Sequence, residues 1–89
     1  MISAIWDEPF KRCYRKKIRE NDKLRRRFWT RMEMFLRNPF SPQLRTHKLS
    51  GQLEGQWAFS VDADCRVIFE FIGEDKVLLI DIGSHDEVY

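Results

Sequence analysis

Apolar residues recur at helical spacing through the first part of the chain, and then the period shortens to two. Phe10, Cys13, Tyr14 and Ile18 make one stripe, and Leu24, Phe28, Met32, Phe35 and Leu36 make a second. Between them Asn21 and Asp22 can end the first helix and cap the second through a side-chain oxygen. Asn38-Pro39 closes the second helix, because the residue before proline avoids helical geometry. The pattern predicts a helical hairpin with a tight elbow. Its aromatic and Met residues are accounted for by packing, so they are assigned to the core rather than to a cofactor box. Ahead of the hairpin Ile2, Ala4 and Trp6 alternate, which suggests a short opening strand.

Beyond Pro42 the alternation is that of strands. Trp57, Phe59 and Val61 share one side and Ala58, Ser60 and Asp62 the other, while Val67, Phe69 and Phe71 oppose Arg66, Ile68 and Glu70. Asp62-Ala63-Asp64-Cys65 and Gly73-Glu74-Asp75 are turn-compatible, so a third strand is expected over Val77 to Ile82. A further strand is expected earlier, over Leu44 to Leu49. The fold class that follows is α+β, a helical hairpin packed on a small antiparallel β-sheet in the order β-α-α-β-β-β-β. At 89 residues the chain is expected to form one domain, residues 1–89.

Charge divides the chain in two. Residues 1–50 carry fourteen Lys and Arg against five Asp and Glu, whereas residues 51–89 carry two against nine. The basic half is expected to meet a polyanion or an acidic protein, and the acidic half argues against tight RNA binding by its own surface. No apolar run approaches bilayer length and the first residues lack the form of a signal peptide, so a cytoplasmic chain without membrane contact is expected. Cys13 and Cys65 form no Cys-x-x-Cys pair and read as free thiols, with no metal or other cofactor implied.

Two histidines and one arginine remain for chemistry. His47 opens His-Lys-Leu-Ser-Gly, His85 lies in the closing Ile-Gly-Ser-His-Asp-Glu-Val-Tyr, and Arg66 stands at the start of a strand. Imidazole is the side chain whose ordinary pKa lies near neutrality, and a nearby guanidinium suits a phosphate. In an up-and-down sheet one face can carry all three residues. The plainer reading of each is a solvated surface side chain.

The order of these features resembles the RelE/ParE toxin superfamily, in particular its YafQ-like and RelE-like messenger RNA interferases. The resemblance is carried by the basic helical hairpin, Asn-Pro-Phe, Leu-Arg-Thr-His-Lys-Leu-Ser-Gly, a Gly-x-Trp strand, Asp-x-Arg-Val-Ile-Phe and the closing Gly-x-His segment. It implies a microbial ribonuclease-like fold that cuts messenger RNA in the ribosomal A site and is held inactive by a cognate antitoxin. His47, Asp64, His85 and Tyr89 fall on functional positions of the YafQ-like branch, and Arg66 on the phosphate-binding arginine of the RelE and YoeB branches. Ser60, Cys65 and Asp81 depart from the YafQ-like pattern, which has a histidine, an aromatic and an arginine there.

Metal-independent RNA cleavage needs a base for the ribose 2′-hydroxyl, a cation for the charge building on phosphorus, and an acid for the departing 5′-oxygen. On the resemblance, His85 and His47 take the acid and base roles in either order, with Asp64 orienting a partner. Arg66, Lys48 and Arg45 bind phosphate, and Tyr89 stacks on a base. Two other functions share the fold: a protein-binding toxin of the ParE kind, which acts on DNA gyrase, and a degenerate module that binds only antitoxin. The histidine pair disfavours the first, and the departures at Ser60, Cys65 and Asp81 favour the second.

Overall fold

In a computed structural model the protein is described over residues 1–88. Strand β1 (Ser3–Trp6) leads into α1 (Glu8–Lys17) and α2 (Asp22–Arg37); β2 (His47–Lys48), β3 (Trp57–Asp62), β4 (Cys65–Phe71) and β5 (Lys76–Gly83) follow, and α3 (His85–Val88) comes last. The helices begin where their caps stand. Asp7 accepts from the Phe10 amide at 3.0 Å and Asn21 from the Leu24 amide at 3.0 Å. Asn38 closes α2, and Arg15, Lys16 and Lys17 complement the dipole at the end of α1.

The five strands lie in the order β1-β5-β4-β3-β2. Neighbours from β2 to β5 are antiparallel, whereas β1 joins β5 in parallel, with Ala4 opposite Val77. The sheet is therefore mixed: the helical hairpin carries the chain over one face before the meander returns β5 beside β1.

Phe10, Phe28, Met32 and Phe35 of the helices meet Phe59, Val67, Phe69, Val77 and Leu79 of the sheet in one buried cluster. Phe35 stacks on Phe59 at 4.5 Å between centroids and meets Phe69 edge-on at 4.8 Å. Burying each such side chain contributes roughly 1.5–3 kcal/mol. The opposite face is not wholly solvated: Ala58 and Ile68 are buried there, and α3 folds against β4 and β5. The expected alternation of apolar and polar sides is thus broken at these two residues by a second, smaller cover.

The expected strand from Leu44 to Leu49 contracts to His47–Lys48. Leu44 instead ends a 3-10 turn, Pro42–Leu44, and is driven into the core, while Arg45 takes left-handed geometry. Pro42 presets that turn, which delivers the Leu44 side chain to the buried cluster. No helix among the described residues is long and apolar enough to cross a membrane.

Phe35 joins helix to sheet, so Phe35→Ala should destabilise the fold by about 3–5 kcal/mol in urea unfolding. A loss below about 1 kcal/mol would show that the α2 face is not the anchor of the core.

Candidate functional site

The register of β2 on β3 determines what meets what. His47 lies opposite Ala58, and Ser60, two residues further along β3, lies opposite Arg66. Because alternate residues of a strand share a side, His47, Ser60 and Arg66 belong to one face, opposite the main core. Arg66 in turn pairs with Gly83 of β5, and two residues later the chain enters α3 at His85.

Two open depressions meet at His47. One, about 520 Å³, is lined by His47, Lys48, Leu53, His85 and Val88. The other, about 870 Å³, is lined by His47 together with Arg27, Arg31, Arg45, Ser60 and Arg66. His85 and Arg66 therefore do not share a depression; His47 is the residue common to both. Lys48, expected on a phosphate, pairs with Trp57 and holds its ammonium 5.5 Å from that ring's centroid, so its side chain lies on the face of the sheet opposite His47.

Electrostatically the second depression belongs to the basic half of the chain as much as to the acidic one. Arg27 and Arg31 project from α2, and the same two residues line an adjoining groove with Lys23 and Arg26. Residues far apart in sequence bring four arginines to it, against the single acidic residue Asp62, and two of the four come from the basic helix α2. Arg31 is steadied by donating to the Gln43 carbonyl at 2.8 Å.

The remaining sequence candidates fall elsewhere. Asp64 is exposed in the β3–β4 turn, where its amide donates to the Asp62 carboxylate at 2.9 Å, and it lines neither depression. Tyr89 lies outside the described residues. Asp81 is occupied by its own partners, accepting from the Ile82 amide at 2.8 Å and the Cys13 thiol at 3.4 Å. Burial first, then the neighbouring Asp62 charge, pushes the Cys65 thiol up to about 12, and burial followed by the Asp81 hydrogen bond raises Cys13 as well. Neither cysteine is a nucleophile near neutral pH.

What holds His85 was not anticipated. Ser84 and Glu87 form a reciprocal cap: the Ser84 amide donates to Glu87 Oε1 at 2.8 Å, and the Glu87 amide donates to Ser84 Oγ at 3.3 Å. Lys17 of α1 reaches across, donating to the Ile82 carbonyl at 2.8 Å and pairing with Glu87 at 3.6 Å. Gly83 admits this approach, since a Cβ there would lie 2.9 Å from Lys17 Nζ and 3.0 Å from Glu87 Cβ. The Ser-x-x-Glu spacing in Ser84-His85-Asp86-Glu87 is the signal from which the cap was legible. His85 itself faces Asp86, with 3.8 Å between Nδ1 and the carboxylate.

The sequence profile described as a bacterial toxin of type II toxin-antitoxin system, YafQ, matches residues 3–89. The chain belongs to this toxin family. Solved structures agree at the level of fold. YafQ from E. coli superposes with TM-score 0.75 at 13% identity, covering 100% of this chain and 99% of that one. A YoeB/ParE toxin from Agrobacterium tumefaciens gives 0.76 at 18%, covering 94% and 99%. The YoeB-YefM complex from Staphylococcus aureus gives 0.68 at 12%, covering 96% and 98%. No curated protein matches the chain significantly in sequence. In this YafQ-family chain Ser60, one of the departures, stands directly opposite Arg66, so the smaller side chain leaves the guanidinium room in the depression.

The clamp on α3 is pH-dependent. Hydrogen bonds from Ser84, with the Lys17 ammonium second, hold the Glu87 carboxyl below the usual range. A depressed carboxylate contributes stability above its unfolded pKa and loses it as pH falls through the folded value. At neutral pH the Ser84 amide of Glu87→Ala should therefore exchange hydrogen faster than that of the wild type, and the two should converge below the ordinary glutamate range. Equal exchange at neutral pH would show that Glu87 does not hold α3.

Proposed function

We propose that this toxin is a ribosome-dependent endoribonuclease that cuts messenger RNA in the A site and is neutralised by a cognate antitoxin. The observation that carries the reading is His47, an imidazole shared by a depression that contains His85 and one lined with guanidiniums. Metal-free transphosphorylation needs a base, an acid and a cation, and this combination can supply all three. One imidazole takes the 2′-hydroxyl hydrogen as the 2′-oxygen bonds to phosphorus. The P–O5′ bond breaks, and the second imidazole gives a hydrogen to O5′. Arg66, with Arg45 lining the same depression, faces the charge that builds on the phosphorane oxygens, while Lys48, turned to the other side of the sheet with Trp57, takes no part. Asp64 has no such role in this reading. The products are a 2′,3′-cyclic phosphate and a 5′-hydroxyl, so protons balance without a cofactor.

Affinity comes from the α2 face. Arg27 and Arg31 continue the arginine-lined depression toward Lys23 and Arg26, a length of basic surface suited to a folded RNA such as the ribosome's. The open shape of both depressions fits a substrate that is positioned by a larger machine and not gripped by the toxin alone. Membership of a toxin family of type II toxin-antitoxin systems supports an antitoxin partner, as does the complex in which the Staphylococcus aureus YoeB was solved. The site of action is the cytoplasm.

Induction of the wild-type chain in bacteria should arrest growth and create new ends within translated messages. His85→Gln and Arg66→Ala should each relieve the arrest and slow cleavage by about a hundredfold or more, the usual scale for loss of one general acid, base or oxyanion contact, with circular dichroism unchanged. Arrest with intact transcripts and DNA damage signalling would instead indicate a gyrase-directed toxin. Full toxicity of both variants would refute the site.

A further inference from the structure

Arg45 is the one non-glycine residue with positive φ among the described residues, at φ 52° and ψ 39°. A residue that bears a Cβ disfavours this region, so the conformation persists only where its surroundings impose it. They do so here. The Arg45 amide donates to the Pro42 carbonyl at 3.2 Å, and the Leu44 amide to the Ser41 carbonyl at 3.0 Å. Leu44 is fully buried just before it, Thr46 Oγ1 donates to the Pro39 carbonyl just after it, and Arg31 holds Gln43. What the turn delivers is the Arg45 carbonyl oxygen, 2.9 Å from Nδ1 of His47.

A carbonyl can only accept. Nδ1 must therefore carry the hydrogen of this bond whether the ring is neutral or protonated, and in the neutral ring the lone pair falls on Nε2. We infer that Arg45 is a positioning residue, whose left-handed backbone fixes His47 in the Nδ1–H tautomer and makes Nε2 of His47 the base that takes the 2′-hydroxyl hydrogen. The inference rests on the nuclease reading above and sharpens it: His47 is the base, and His85 is the acid. As Nε2 gains its hydrogen, the positive charge that spreads over the ring is met at Nδ1 by the Arg45 carbonyl dipole. The same residue lines the depression that holds Arg66, so one strained turn orients the base and brings a basic residue to the phosphate side of it.

Nitrogen NMR of the His47 ring, with two substitutions at Arg45, tests this directly. Arg45→Gly keeps access to positive φ, whereas Arg45→Val opposes it through the β-branch; both remove the guanidinium, so their difference isolates the backbone. The wild type and Arg45→Gly should show neutral His47 with hydrogen on Nδ1, and Arg45→Val should lose that preference. On translating ribosomes Arg45→Val should cleave roughly tenfold more slowly than Arg45→Gly, in proportion to the depopulated tautomer. Hydrogen on Nε2 in the wild type, or identical spectra and rates for the two variants, would overturn the assignment. A wild-type chain that shows the expected tautomer and its loss in Arg45→Val but cuts no RNA would overturn the nuclease reading and the base role, leaving only the positioning of the ring.

Discussion

The pairing of a two-residue strand, His47–Lys48, with β3 is the constraint on which the candidate site depends. Because strand side chains alternate, a slip of one residue would turn His47 toward the core and Lys48 toward the site. So short a ladder is weak by itself. Its register is secured from both ends: Leu44 is buried in the core cluster, and the Leu49 amide donates to the Gln56 carbonyl at 2.9 Å. The anchoring of an apolar residue on one side of the sheet thus decides the placement of an imidazole on the other.

The two histidines are held by different means. His47 stands on an edge strand and is oriented by a backbone carbonyl, while His85 opens a short helix clamped by Ser84, Glu87 and Lys17. That clamp ties the last helix to the end of the first, so integrity of the basic hairpin and placement of His85 are linked. Arg27 and Arg31 link the same hairpin to the other depression. The helices are in this sense part of the site as well as its support.

Most of the architecture was legible because its signals are local. Stripes at helical spacing, Asn21 as a cap and Asn38-Pro39 as a stop determine α1 and α2, and alternation determines β3, β4 and β5. The parallel pairing of β1 with β5 was not legible, since it joins residues more than seventy positions apart and leaves no periodic trace. Leu44 and Leu49 suggested a longer strand than forms, because an apolar residue delivered by a 3-10 turn looks in sequence like one delivered by a strand. Charge counted by halves located the basic helices but not where they meet the sheet: α2 brings Arg27 and Arg31 to the depression that His47 and Arg66 line. Asp64, matched by resemblance, lines neither depression, although its turn neighbours Asp62 and Ala63 line the second.

In the proposed reaction the ribose 2′-hydroxyl is the nucleophile, activated by an imidazole and not by the ribosome alone. This role is tested most directly by programming ribosomes with a defined message whose A-site codon carries a single 2′-deoxy nucleotide at the cleaved position, and comparing it with the all-ribose message. The ribose message should be cleaved to a 2′,3′-cyclic phosphate end and the deoxy message left intact at that position. Equal cleavage of both messages, or of neither, would contradict that role.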